Sequence, residues 1–123
     1  MIHTVTLHLP AGIWLTSNQR LHWRPAAERT ASIRMLARHA ARGLPVVERC
    51  RVTAAIGYPT ASRADPSNAA PTVKAVLDGI TDAAGGWPDD DSEHVISVTY
   101  VRGPETKKRG VYRVEIEIEE VGD

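Results

Sequence analysis

The sequence has one cysteine, no long apolar run and no excess charge of either sign. Cys50 is the only cysteine in 123 residues, which excludes an intrachain disulfide and the thiolate ligands of a zinc finger. No apolar stretch approaches the roughly 20 residues that cross a bilayer. The start, MIHTVTLHLPAG, has neither the basic nor the apolar part of a signal peptide. We therefore expect a soluble, cytoplasmic protein without membrane contact, whose chemistry uses a hard metal ion or none.

The formal net charge is zero, yet the two halves of the chain differ in sign. Residues 1–63 hold nine arginines against two glutamates, a net charge of +7, and residues 64–123 hold six basic against thirteen acidic residues, a net charge of −7. A basic half can neutralise phosphates and an acidic half can gather divalent cations, as a metal-dependent nuclease requires. The alternative is a chance segregation of charges that serve only solubility.

Hydrophobic periodicity predicts six helices and strands in the order β-α-β-α-β-β. Polar and apolar residues alternate in IHTVTLHL and again in GVYRVEIEIEE, where one face of the last strand is fully charged and should meet solvent or a partner. The predicted strands are 2–9, 50–58, 94–101 and 110–119, and the predicted helices run from 25 to about 42 and from 71 to the glycine pair at 85–86. We therefore expect one compact α+β domain over residues 1–123, with two helices packed on one face of a small mixed sheet.

The first predicted helix is both amphipathic and basic. Its apolar residues recur at helical spacing, namely Ile33, Leu36, Ala37, Ala40 and Leu44. Arg34, Arg38 and Arg42 form a basic stripe beside them, and the loop before the helix adds Arg20, His22, Trp23 and Arg24. Such a surface could run along a phosphate backbone, or the arginines could only make the helix soluble.

Acidic residues occupy two turns, one on each side of the second predicted helix. Asp65 follows the second strand, and Asp89, Asp90 and Asp91 follow the helix. If the flanking strands are neighbours, we expect both turns near a common edge of the sheet, where two aspartates could bind Mg²⁺. The helix adds Lys74 and Asp78 at i and i+4, and Lys74 could contact the scissile phosphate.

Simpler structural roles remain open for each of these residues. Three consecutive aspartates are commonly a solvated turn, Asp65 before Pro66 is typical of a backbone-capping turn, and Lys74 with Asp78 could be a surface salt bridge. The five histidines show no metal-ligand spacing, and we interpret His3 and His8 as structural residues of the first strand.

Three segments, RADPSN, KAVLDGITDAAG and WPDDDSEHV, together resemble the core signature of the RusA-like Holliday junction resolvases, and LTSNQRLHWR resembles the amino-terminal motif of that family. They cover residues 15–24 and 63–95. The resemblance implies an endodeoxyribonuclease of bacterial or phage origin that serves DNA recombination and repair. It would be a homodimer that recognises four-way DNA junctions and cuts two strands with Mg²⁺, or with Mn²⁺ in its place, and without an organic cofactor.

The resemblance also implies roles for individual residues. Asp65, Asp90 and Lys74 match the catalytic positions, and the run of three aspartates adds Asp89 and Asp91 as metal ligands because the register is ambiguous. Supporting roles are implied for Asn18, Asn68 and Asp78. From the basic surface itself we expect DNA contacts from Arg20, Arg24, Arg34, Arg38 and Arg63, together with Lys74.

Three departures from the family pattern bear on activity. Ser67 stands where many members carry a second aspartate, Ala64 stands where a basic residue often occurs, and the insertion AAP separates Asn68 from Lys74. Two alternatives therefore stay open beside the nuclease. One is a branched-DNA-binding module that has lost its activity, and the other is a protein-interaction domain without a nucleic-acid role.

Overall fold

Four strands and two helices follow one another in the predicted order β-α-β-α-β-β in a computed structural model, which describes residues 1–89 and 91–122. They are β1 (Ile2–Pro10), α1 (Trp23–Ala40), β2 (Cys50–Gly57), α2 (Ala70–Asp82), β3 (Val95–Arg102) and β4 (Val111–Glu120). Two short 3-10 helices, Ala11–Ile13 and Pro66–Ala69, form where the sequence predicted only loops. The α+β class is confirmed. Within the described residues, neither helix is long and apolar enough to span a membrane.

The four strands form one mixed sheet in the order β1-β4-β2-β3. The strand β4 runs antiparallel to both of its neighbours, β1 and β2, whereas β2 and β3 are parallel. A parallel pair needs a crossover connection, and α2 supplies it. The strands β1 and β3 therefore form the two edges of the sheet.

The core lies on one face of this sheet, because alternation places the apolar residues of every strand on the same side. In the pairing register, Val114 of β4 lies between Leu7 of β1 and Ile56 of β2, and all three side chains are buried. No helix within residues 1–89 and 91–122 covers the other face, which carries Glu115, Glu117 and Glu119 of β4. The predicted charged face of the last strand is thus confirmed.

The helices α1 and α2 pack closely against each other. The buried row of α1 consists of Ile33 and Ala37 and continues to Ala41 after the helix, at a spacing of four residues. The inclusion of Leu36 and Ala40 in the apolar stripe is wrong, since Leu36 is 44% exposed and Ala40 is exposed. The contact with α2 follows the row of residues spaced four apart, so Leu36 and Ala40, one residue before Ala37 and Ala41, face solvent.

We expect Gly79 to be essential for this close helix packing. A Cβ atom at Gly79 would overlap the Arg34 carbonyl oxygen and lie 2.6 Å from the Ala37 Cβ. The substitution Gly79→Ala should lower the free energy of unfolding by about 1–3 kcal/mol, although alanine alone favours a helix by about 1 kcal/mol. Urea denaturation measures the change. Gly43→Ala is the matched control, because no atom lies within 4 Å of its added Cβ, and an equal loss there would contradict the packing argument.

Candidate metal and nucleic-acid site

Two distant segments meet beside the carboxyl end of β2, residues 14–18 and residues 63–72. The backbone N–H of Ser17 donates to the Asn68 carbonyl at 2.8 Å. The hydroxyl of Thr72 accepts from the Leu15 N–H at 2.9 Å and donates to the Leu15 carbonyl at 2.7 Å. Thr72 is fully buried, so these two bonds satisfy it and attach the loop to the start of α2. Sequence reasoning missed Thr72, which no motif identifies.

A small polar cleft forms where the two segments meet. Its lining includes four residues from the expected set, Asn18, Arg63, Asp65 and Asn68, together with Trp14, Thr16, Tyr58, Ala64 and Ala69. The aromatic rings give it a rigid wall, because Trp14 stacks on Tyr112 with 4.3 Å between ring centroids and Tyr58 contacts Tyr112 edge-on at 6.1 Å. The fold therefore brings the amino-terminal motif and the first acidic loop together.

Asp65 caps the 3-10 helix that begins at Pro66. Its Oδ1 atom accepts hydrogen bonds from the Ser67 hydroxyl at 2.8 Å and from the Ser67 backbone N–H at 3.0 Å. These two bonds, the hydroxyl bond first, lower the pKa of the Asp65 carboxyl below its ordinary value of 3.8. The side chain is exposed and ionised at neutral pH, which suits a metal ligand. The sequence marks Ser67 only as a missing carboxylate and does not predict that its hydroxyl orients Asp65.

Arg102 fixes the loop that leads to Asp65. Its guanidinium group donates to the carbonyls of Ser62 at 2.6 Å and Thr60 at 3.2 Å, and it lies 4.9 Å from the centre of the Tyr58 ring. A cation on an aromatic face with two directed donors holds its neighbours in a defined geometry. Arg102 ends β3, outside all of the motif segments and 40 residues from Ser62, so the motifs alone could not identify it.

The second acidic turn lies at the other end of the sheet. The Asp91 carbonyl accepts from the Val95 N–H at 2.8 Å, at the amino end of β3, whereas Asp65 follows the carboxyl end of the parallel strand β2. An eight-residue strand separates these ends by roughly 20 Å. The expectation of a common edge is therefore wrong for a single chain, because the crossover helix returns the chain to the opposite end. Asp90 lies outside the described residues, and Asp89 is exposed.

Asp91, Glu93 and His94 form a cluster at that opposite end. One potential ligand atom from each lies within 4.8 Å of the others. The His94 Nδ1 atom is 2.8 Å from the Glu48 carbonyl oxygen, and this bond raises the pKa of His94. A neutral imidazole that donates from Nδ1 offers Nε2 to a cation, the usual arrangement of metal-binding histidines. The spacing DSEH could have suggested this group, although the histidines were interpreted as showing no ligand pattern.

Two of the expected functional side chains are held in ion pairs. Lys74 Nζ lies 2.8 Å from Asp78 Oδ1, which matches the structural alternative of a surface salt bridge. Arg34 pairs with Asp82 across the two helices, and this guanidinium lowers the pKa of the Asp82 carboxyl. Arg34 therefore serves the α1–α2 contact.

Other cations of the expected set are exposed. These are Arg20, Arg24 and Arg38, with Arg24 at 5.5 Å from the centre of the Trp23 ring. His3 bonds to Glu120 at 3.0 Å, in agreement with a structural role, and His8 is exposed on β1. The exposed arginines leave α1 and the loop before it positively charged.

We expect Ser67→Ala to raise the pKa of Asp65. The substitution removes the hydroxyl bond that stabilises the charged carboxylate and keeps the backbone N–H bond, so the pKa should move back toward 3.8 without reaching it. Titration of the Asp65 carboxyl carbon by NMR measures the shift. Ser97→Ala, an exposed position on β3, should leave this pKa unchanged. An unchanged Asp65 pKa in Ser67→Ala would contradict the assigned bond.

No protein-family model matches the chain, and no curated protein matches it. The residue patterns and the geometry of the two ends of the sheet are therefore the basis on which a function can be proposed.

Proposed function

We propose that the chain is a magnesium-dependent, structure-selective DNA endonuclease of the RusA-like type, which resolves four-way junctions as a homodimer. The observation that supports this proposal most directly is the cleft at the carboxyl end of β2. Asn18 belongs to the amino-terminal motif and Asp65 and Asn68 to the first acidic motif, and all three line this cleft with Arg63. Two of the four segments that carry the resemblance thus contribute to one cleft.

The donors in this cleft suit a hard cation. Asp65 supplies an ionised carboxylate, and Asn18 and Asn68 can supply amide oxygens, the ligand types that Mg²⁺ prefers. A bound Mg²⁺ would activate water and neutralise charge on the phosphate. Arg63 in the same lining supplies positive charge for a phosphate group. Lys74 of α2, which the resemblance assigns to the phosphate, is not among the residues that line the cleft. The charge of Lys74 is partly offset by Asp78.

The positive surface around α1 supports a nucleic-acid ligand. Arg20, Arg24 and Arg38 are exposed, and no acidic residue occurs between Glu28 and Glu48. Phosphate contacts position a nucleic acid without reading its sequence, which suits recognition of a junction by shape. The DNA would therefore lie against α1 and the cleft.

A branched-DNA-binding module without activity is the second candidate, and Ser67 favours it. The Ser67 hydroxyl donates a hydrogen bond to Asp65 Oδ1 and occupies the position where a second carboxylate is expected. Both the missing carboxylate and the competing hydrogen bond weaken a metal site at Asp65. Incubation of a synthetic four-way junction with the protein and Mg²⁺ separates the two candidates, because binding without nicking favours the module. A protein-interaction domain would bind the junction weakly and without dependence on salt.

We expect Asp65→Asn and Asp90→Asn each to abolish junction cleavage and to leave binding largely intact. Both changes remove a negative charge needed by the metal ion, while the arginines around α1 stay in place. Cleavage is measured on a labelled four-way junction and binding by fluorescence anisotropy with Ca²⁺. Glu117→Gln, on the helix-free face of the sheet, is the matched loss of one carboxylate and should cut like the parent protein. If Asp65→Asn or Asp90→Asn cuts the junction as well as the parent protein, the assignment of that aspartate is contradicted.

We expect Arg24→Ala to weaken junction binding equally for all sequences. The loss of one phosphate contact should reduce the slope of log K against log salt concentration by about 1. Binding measured over a series of salt concentrations gives the slope. Arg51→Ala is the control, because Arg51 lies on the helix-free face, 3.4 Å from Glu119. A slope that falls equally in both variants would show that the α1 side is not the DNA-binding face.

A further inference from the structure

Trp23, the first residue of α1, exposes 75% of its surface to solvent. The other two tryptophans, Trp14 and Trp87, are 4% and 2% exposed and belong to the core. A single exposed apolar residue is common on protein surfaces and needs no explanation by itself. The surroundings of Trp23 distinguish it, because they are aromatic and basic together.

The neighbours of the Trp23 ring are cationic. The Arg24 guanidinium lies over the ring, 5.5 Å from its centre, and Arg20 is exposed three residues before it. No acidic residue precedes Glu28 in the chain, and the first turn of α1 contains none. Because Trp23 is so exposed, Arg24 can cover at most one face of the ring. A ligand that combines a flat ring with negative charge, as a nucleotide does, fits this arrangement.

The start of α1 borders the cleft that holds Asp65. The Arg29 guanidinium donates to the Trp14 carbonyl at 2.9 Å, and Trp14 lines the cleft. Thr16 also lines the cleft, and it lines a neighbouring groove together with Ala26 of the first turns of α1. A nucleic-acid strand held at the cleft would therefore pass close to Trp23.

We propose that Trp23 stacks on an unpaired base beside the branch point of bound DNA, while Arg20 and Arg24 contact the flanking phosphates. This inference deepens the proposed function and rests on it for the DNA ligand. In a regular duplex both faces of each base are covered by neighbouring bases, whereas a branch point interrupts the stack. Every base has a π-face, so the contact selects an unpaired nucleotide without reading its sequence.

Removal of one base from the DNA tests the stacking. Two synthetic four-way junctions are compared, one with an unpaired thymidine at the branch point and one with an abasic nucleotide at the same position. The two junctions have the same phosphates, so electrostatic attraction is equal for both. We expect the parent protein to bind the thymidine junction at least about fivefold more tightly, a difference of about 1 kcal/mol. Fluorescence anisotropy with Ca²⁺ measures both affinities without cleavage.

Substitutions of Trp23 assign this preference to its ring. Trp23→Leu should bind both junctions about equally, and Trp23→Phe, which keeps an aromatic ring, should retain part of the preference. Met35→Ala is the matched control, because Met35 is an exposed apolar residue of the same helix and lies roughly 18 Å along its axis from Trp23. This variant should keep the parent's preference. Circular dichroism checks that each variant is folded.

Tryptophan fluorescence gives a second readout. Acrylamide quenching reports chiefly on Trp23, since Trp14 and Trp87 are buried, and Trp23→Leu supplies the baseline of the other two. We expect the thymidine junction to protect Trp23 from acrylamide and the abasic junction to protect it less.

The outcomes separate the stacking from the proposed endonuclease. Equal binding of the two junctions by the parent, or a preference that Trp23→Leu retains, overturns the stacking, and cleavage of a fully paired junction with Mg²⁺ then decides the endonuclease on its own. A base preference in a protein that cuts no junction with any divalent metal ion supports the stacking and contradicts the endonuclease. A parent that binds neither junction overturns both.

Discussion

The parallel pairing of β2 and β3 is the constraint on which the arrangement of every candidate residue depends. Two parallel strands that follow each other in sequence need a connection back along their full length, and α2 is that connection. The loop before α2 must therefore lie at one end of the sheet and the turn after it at the other. Asp65 and Asp91 are separated by this rule, independently of their side chains.

Each end of the sheet then acquires neighbours from elsewhere in the chain. At the carboxyl end, Thr72 attaches the Leu15 backbone to the first turn of α2, and Arg102 holds the loop at Ser62. At the amino end, the Glu48 carbonyl orients His94. The Thr72 hydroxyl is buried, so breaking its bonds would leave a desolvated donor and acceptor, whereas the Arg102 and His94 bonds are exposed. The two ends of the sheet are thus separate sites with different neighbours.

The strands and helices could be predicted because their signals are local. The alternation in IHTVTLHL gave β1, and the apolar spacing of Val73, Val76 and Ile80 gave α2. The prediction that Leu36 belongs to the buried face is wrong because the sequence of α1 does not show from which side α2 packs on it. That side is fixed by tertiary contacts, at the point where Gly79 allows the two helices to approach closely. Periodicity defines a helix face only to within one neighbouring row.

The candidate site could be predicted only in part. The residues of the β2 end were identified by motif, and their contact in one cleft follows from the Ser17–Asn68 bond, which no local pattern encodes. The common edge for both acidic turns was expected because the flanking strands are neighbours, but adjacency alone does not fix which ends meet. The direction of the strands fixes which ends meet. In a parallel pair the end of the first strand and the start of the second lie at opposite ends of the sheet. His94 was missed because its orientation depends on Glu48, which is 46 residues away.

The basic and acidic halves of the sequence do not correspond to two separate regions of the folded chain. Part of the acidic excess, Glu115, Glu117 and Glu119, lies on the helix-free face of the sheet rather than near either turn. This row repels phosphates, whereas the exposed arginines of α1 lie on the other side of the sheet. Under the proposed function, the field of the protein therefore orients an approaching DNA backbone toward the helices and the cleft that holds Asp65.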